Sequence, residues 1–173
     1  MRRGDQALVD LLLKEKATIN ALDQRGRTPL CLGVLEGRAT VVKALLQRTV
    51  DTNIPDNEKR TVLHHAAQNG NCEIVRILVD HKADPHARDA QMKKAWQLAA
   101  ENGDHPDSLV PMVQLLVEKG VDKDAKDRFG RAAIGIAAEY KKHEVLGLLL
   151  SKGANPDIPD PRGQTPILWA AKT

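Results

Sequence analysis

One aspartate-led segment recurs along the chain. Asp23, Asp56, Asp89, Asp127 and Asp160 open the stretches DQRGRTPL, DNEKRTVL, DAQMKKAW, DRFGRAAI and DPRGQTPI, at spacings of 33, 33, 38 and 33 residues. A fixed period of this size restricts the fold more than any composition does. Every copy must take the same local structure and bury its apolar face against its neighbours. The physics of one copy is legible. Thr28, Thr61 and Thr165 are placed to cap a helix by accepting an orphan backbone N–H. Pro29 and Pro166 follow at the first helical position, where a missing N–H costs nothing. Small pairs come next, Ala66-Ala67, Ala99-Ala100, Ala137-Ala138 and Ala170-Ala171, with Gly33-Val34 in the first copy. Gly37, Gly70 and Gly103 supply left-handed helix ends. A second apolar run follows, such as VVKALLQ or IVRILVD, with the helical spacing of Val42, Leu45 and Leu46. The pattern predicts helix, tight loop, helix, and then an extended turn rich in Gly, Asn, Asp and Pro.

The motifs GRTPLCLGVLEG, TVLHHAAQNGNCEIVRILVDHKAD, AWQLAAENG, GQTPILWAA and LLLSKGANPD resemble the ankyrin repeat family, whose pattern joins this period to T-P-L-H-x-A. The resemblance runs from about Ala7 to the end. It implies an all-α solenoid of stacked helix-turn-helix units with projecting β-hairpin-like turns. Residues 1–173 are expected to form a single ankyrin-repeat domain, with a partial repeat at 1–22, repeats at 23–55, 56–88, 89–126 and 127–159, and a partial repeat at 160–173.

The departures are as informative as the pattern. The long gap holds an insertion near 104–108, expected as a longer loop, with Asp107 or Ser108 capping the next helix and Pro111 in its first turn. The third and fourth copies lack the Thr cap, having Lys94 and Ala132, so the middle of the stack is expected to be weaker. Trp96 is expected in the core. Ile167, Leu168 and Trp169 are expected to lie uncovered, because no second helix follows them. The adjacent His64 and His65 read as one histidine bracing a turn and one standing in an apolar layer. His65 is expected to be acid-sensitive there.

Composition excludes rather than assigns. Apolar residues make up 42%, charged residues 28% and aromatics 2%. No run reaches the roughly 18 apolar residues of a membrane span. The basic start has no apolar signal core. Two cysteines, Cys31 and Cys72, form no disulfide framework. These features suit an intracellular location, cytoplasmic or nuclear. Phosphate-loop, dinucleotide, zincin and nucleophile-elbow motifs are absent, and the six histidines are scattered. No catalysis, cofactor or metal is expected.

The resemblance implies that binding residues sit at the second, third and fifth positions of each turn and at the ends of the first helices. Residue by residue these are Arg25, Arg27, Glu58, Arg60, Gln91, Lys93, Arg128, Phe129, Arg131, Arg162 and Gln164, with Glu101 and Tyr140 at helix ends. The finger row is basic and the helix-end row acidic. A partner protein or extended peptide with an acidic surface is expected, anchored near Phe129 and Tyr140. Net charge of +3 admits nucleic acid or another anionic surface as the alternative, though scarce aromatics give poor stacking platforms. Charge reversal at Arg128 and Arg131 together is expected to weaken binding without lowering the melting temperature.

Overall fold

The structure is a computed structural model that describes residues 4–15, 17–102 and 106–172. Among these, ten helices follow in order: α1 (Gly4–Lys14), α2 (Pro29–Leu35), α3 (Ala39–Leu46), α4 (Val62–Gln68), α5 (Cys72–Asp80), α6 (Ala95–Asn102), α7 (Pro106–Glu118), α8 (Ala133–Glu139), α9 (His143–Ser151) and α10 (Pro166–Lys172). They form two layers. The first helices of successive units, α2, α4, α6, α8 and α10, pack each on the next. The second helices, α1, α3, α5, α7 and α9, do the same behind them.

Register explains the stacking. Leu30, Leu63, Trp96 and Ile134 stand at one position of successive units and are fully buried. Each such side chain contributes roughly 1.5–3 kcal/mol by leaving water. Gly33, Ala66, Ala99 and Ala137 stand one turn along. At Gly33, even a methyl group would touch Val42 at 3.4 Å, so the paired helices meet almost backbone to backbone. In the second layer, pairs spaced by three or four residues fill the core: Val42 with Leu45, Ile74 with Leu78, Met112 with Leu116, and Val145 with Leu149. Ile167, next in the first-layer register, is 72% exposed, and Leu168 beside it is exposed as well.

The caps follow the sequence in part. Thr28 is extended and its hydroxyl accepts the Cys31 N–H at 3.1 Å. Thr61 donates its N–H to Nδ1 of His64 at 3.1 Å. The third unit corrects the expected weakness: Lys94 donates its N–H to Oε1 of Gln97 at 2.9 Å, so a glutamine replaces the missing threonine. The fourth unit has no replacement at Ala132. Its first helix also ends on Lys141, held at φ +55° where the first two units have Gly37 and Gly70 at +65° and +69°. Gly103 lies outside the described residues.

The insertion also differs from expectation. Residues 103–105 are outside the described set, but α7 begins at Pro106 and runs 13 residues, against 9 for α5 and α9. The extra chain therefore goes into helix and not only into loop. Asp107 and Ser108 fall within the helix range, past its first residue. Pro111 is its sixth residue, past the first turn.

The two histidines separate cleanly. His64 is buried and bridges two units. Its Nδ1 takes the Thr61 N–H, so the proton sits on Nε2, which donates to the Lys93 carbonyl at 3.1 Å. Gln97 copies this device with polar atoms that do not titrate, donating from Nε2 to the Ala125 carbonyl at 3.0 Å. His65 is not in a purely apolar layer as expected: its Nε2 lies 2.8 Å from Oδ2 of Asp56. Burial holds His64 below the ordinary imidazole range.

Candidate partner-binding surface

Five finger turns project from the stack, each built by its opening aspartate. Oδ1 of Asp23 accepts the N–H groups of Arg25 and Arg27, both at 2.9 Å. Asp56, Asp89, Asp127 and Asp160 repeat the pair with the residues two and four places on, at 2.8–2.9 Å. The fourth residue of each finger is left-handed. It is glycine at Gly26, Gly130 and Gly163, but Lys59 and Met92 adopt the same backbone. An aspartate is required because its short carboxylate satisfies two turn N–H groups at once.

Neighbouring fingers are tied by a ladder. Asn57 donates its N–H to the Arg25 carbonyl at 3.0 Å, Ala90 to Glu58 at 2.9 Å, and Arg128 to Gln91 at 2.8 Å. The next donor would be residue 161, which is proline and has no N–H. The Pro161 ring instead lies over Gly130, so close that a Cβ on Gly130 would stand 2.5 Å from its Cγ.

The basic row and the acidic row expected from the sequence prove to be partners of each other. The fifth residue of a finger reaches the end of its own unit's first helix, eight residues on. Arg60 donates to Gln68 at 3.2 Å, and Lys93 pairs with Glu101 at 2.6 Å. Arg131 stands 3.6 Å from Glu139, and Gln164 accepts from Lys172 at 2.6 Å. In the first unit the helix-end residue is Leu35, so Arg27 turns back to Asp23 at 2.7 Å and holds that carboxyl down at about 2. Arg131 also reaches Glu101 and Asp127, each at 3.0 Å. The expected Arg128 and Arg131 double reversal is therefore unsound as a binding test, because Arg131 holds the fold. Arg60 also lies 3.4 Å from Glu58.

Residues at the second and third positions are exposed, except Gln91. The side chains of Arg25 and Arg162 make no ion pair among the described residues. Arg128 stacks on the Phe129 ring at 5.4 Å, with Arg131 on the same ring at 5.6 Å. Gln91 keeps its Oε1 buried without a partner. Phe129 and Tyr140 are exposed, at 54% and 48%, yet they do not share a pocket. Phe129 shares a groove of about 440 Å³ with Trp169, Arg131, Arg162, Pro161 and the carboxylates of Glu139 and Asp160. Trp169 is thus not left uncovered. Its side chain hydrogen-bonds Asp160, which helps keep that carboxyl below its ordinary range. A signal was available, since Trp169 stands at the position of His65, and both bond the aspartate that opens their own unit.

Burial pushes the Cys31 thiol up to about 11, so it stays protonated near neutral pH. The groove beside His65 and Asp56 is lined by arginine, carboxylate, amide and leucine side chains, with no serine, threonine or cysteine. Among the described residues no cluster of three His, Cys, Asp or Glu side chains fits a metal ion. No described helix is long and apolar enough to cross a membrane.

Comparison with known proteins decides the family. The family described as "Ankyrin repeats (3 copies)" matches residues 1–89 and 96–173. The chain belongs to the ankyrin repeat family. It is 34% identical over 59 residues to human ankyrin repeat domain-containing protein 63, covering 34% of this chain and 16% of that protein. The mouse protein of the same name gives 34% over 59 residues, or 34% of this chain and 15% of its own length. A putative ankyrin repeat protein of Acanthamoeba polyphaga mimivirus gives 30% over 67 residues, covering 39% of this chain and 9% of that protein. The match thus spans under a fifth of each relative. Ankyrin repeats are in general protein-interaction modules and not enzymes.

Proposed function

We propose that this ankyrin array, residues 1–173 acting as one domain, is a non-catalytic scaffold in an intracellular setting. Its finger tips and concave groove take an acidic, extended segment of a partner protein. The supporting observation is the division of cations within each finger. Fifth-position cations are consumed by carboxylates and amides of the groove floor, while Arg25, Arg128 and Arg162 stand outward at the tips. Outward guanidiniums steer an anionic partner and set its register. The test compares a labelled poly-glutamate peptide, a poly-lysine peptide and a random DNA duplex on the wild-type array and on Arg25→Glu, Arg128→Glu, Arg162→Glu combined. Poly-glutamate is expected to bind the wild type and to lose at least about tenfold in affinity on the triple variant, with the melting temperature unchanged. Absence of poly-glutamate binding overturns the reading. Tight duplex binding with a steep salt slope moves it to nucleic acid.

A further inference from the structure

We infer that the groove between the fourth and fifth fingers is a docking pocket for one bulky apolar side chain flanked by carboxylates, presented by an extended partner segment. The inference rests on the acid-binding reading of the finger tips and names where, and by what side chain, such a segment is anchored. Three independent features of this seam meet there. The first is the broken ladder. Each earlier seam is closed by a finger-to-finger N–H to carbonyl bond, but Pro161 leaves the Phe129 carbonyl without one. A guest can therefore separate these fingers without losing a finger-to-finger backbone bond; the flexible Lys126 side chain, which donates to the Pro159 carbonyl at 2.9 Å, also spans the seam. The second is the wall. Phe129, Pro161 and Trp169 bring three rings around a groove of about 440 Å³, in the range of sites that hold a single ligand group. In a chain with 2% aromatic residues, this convergence does not arise from abundance. The third is the charge. Both carboxylates on the floor are already occupied, Asp160 by the N–H groups of Arg162 and Gln164 and by Trp169, and Glu139 by Arg131. The guanidinium of Arg162 makes no ion pair within 4 Å among the described residues, though its charge acts on Asp160, and that of Arg128 stands over the Phe129 ring at 5.4 Å. An arriving carboxylate meets cations that it can engage without breaking a close salt bridge.

The two tryptophans make the test direct. Trp96 is fully buried in the core and serves as a constant background, whereas Trp169 lines the groove. The probes are two blocked acidic peptides that differ at one central residue, phenylalanine in one and glycine in the other. The phenylalanine peptide is expected to shift the tryptophan emission and to bind about tenfold more tightly, the difference a buried aromatic anchor gives. Phe129→Ala and Arg162→Glu, both exposed positions, are each expected to abolish that preference without moving the thermal melt. Trp169→Phe is expected to remove the emission change. Equal affinity for the two peptides, or a preference that survives Phe129→Ala, overturns the docking pocket while leaving acid binding at the finger tips in place. Failure of both peptides to bind overturns both readings together.

Discussion

The seam between the third and fourth fingers and the seam between the fourth and fifth are built from the same repeat and hold together differently. The former has a ladder bond from Arg128 to Gln91, a side-chain link from Gln97 to the Ala125 carbonyl, and an ion cluster of Lys93, Glu101, Arg131 and Asp127. The latter has proline where the ladder donor belongs, and Gly135 where Gln97 has its side chain. It keeps the ring contact of Pro161 over Gly130 and a bond from Lys126 Nζ to the Pro159 carbonyl at 2.9 Å, and α10 packs on α8. The comparison teaches that a repeat array need not be uniformly stiff. In a solenoid each interface is a separate nearest-neighbour contribution. A single proline and a single glycine suffice to leave one of them with fewer links, and that one carries the exposed Phe129 ring.

The strongest way to break the contrast is to remove the centre of the closed seam. Glu101 is only 13% exposed and holds Lys93 at 2.6 Å and Arg131 at 3.0 Å. Glu101→Ala leaves two half-buried cations with one partner fewer each. A loss of about 2–3 kcal/mol in unfolding free energy is expected, below the range for a fully buried pair because some solvent reaches the cluster. Urea unfolding of wild type and variant measures it. A loss under about 0.5 kcal/mol, the scale of an ordinary surface change, would mean that the cluster does not hold the seam.

The reverse experiment closes the open seam. Gly135→Gln copies Gln97 into the next unit, where a new Cβ meets nothing within 4 Å. Its Oε1 would accept the uncapped Ala132 N–H, and its Nε2 would reach the following turn as Gln97 reaches Ala125. Removing a helical glycine gives about 1 kcal/mol, and the added links bring the expected gain to about 1–2 kcal/mol. Gly135→Ala supplies the helix share alone. If glutamine and alanine stabilise equally in thermal unfolding, the side-chain link does not form at this seam.

Much of this fold was legible because periodicity is a one-dimensional signal. The Asp–Thr–Pro order fixed the fingers and first helices, and Leu30, Leu63, Trp96 and Ile134 showed the core register. The binding surface was read less well, for a physical reason. The sequence shows which residues are charged but not which charges meet, and a row of arginines along the fingers looks the same whether paired or free. Arg131 and Glu101 lie 30 residues apart and touch because stacking brings them together. The eight-residue spacing from Arg60 to Gln68, Lys93 to Glu101 and Arg131 to Glu139 was a usable signal once the period was known. Gln97 as a replacement cap required comparing it with His64 by role and not by residue type.

That comparison of His64 with Gln97 gives the finest test of what holds one seam against another. Both bond back to their own helix start and forward to the next unit, but only the imidazole titrates. Burial holds His64 below its ordinary value, so between the unfolded and folded values the unfolded chain binds the extra proton. Stability from this group is therefore complete above about pH 6.5 and falls as the pH drops below it. At pH 5.5 the loss is at most about 1.4 kcal/mol, one pH unit below the reference histidine value. His64→Gln keeps both bonds and removes the titration. The variant is expected to match wild type at pH 7.5 and to exceed it at pH 5.5 in chemical denaturation. The His65–Asp56 contact is present in both proteins, so its contribution drops out of the difference between them. If the two acid limbs superimpose, proton uptake at the second-to-third seam is not set by His64.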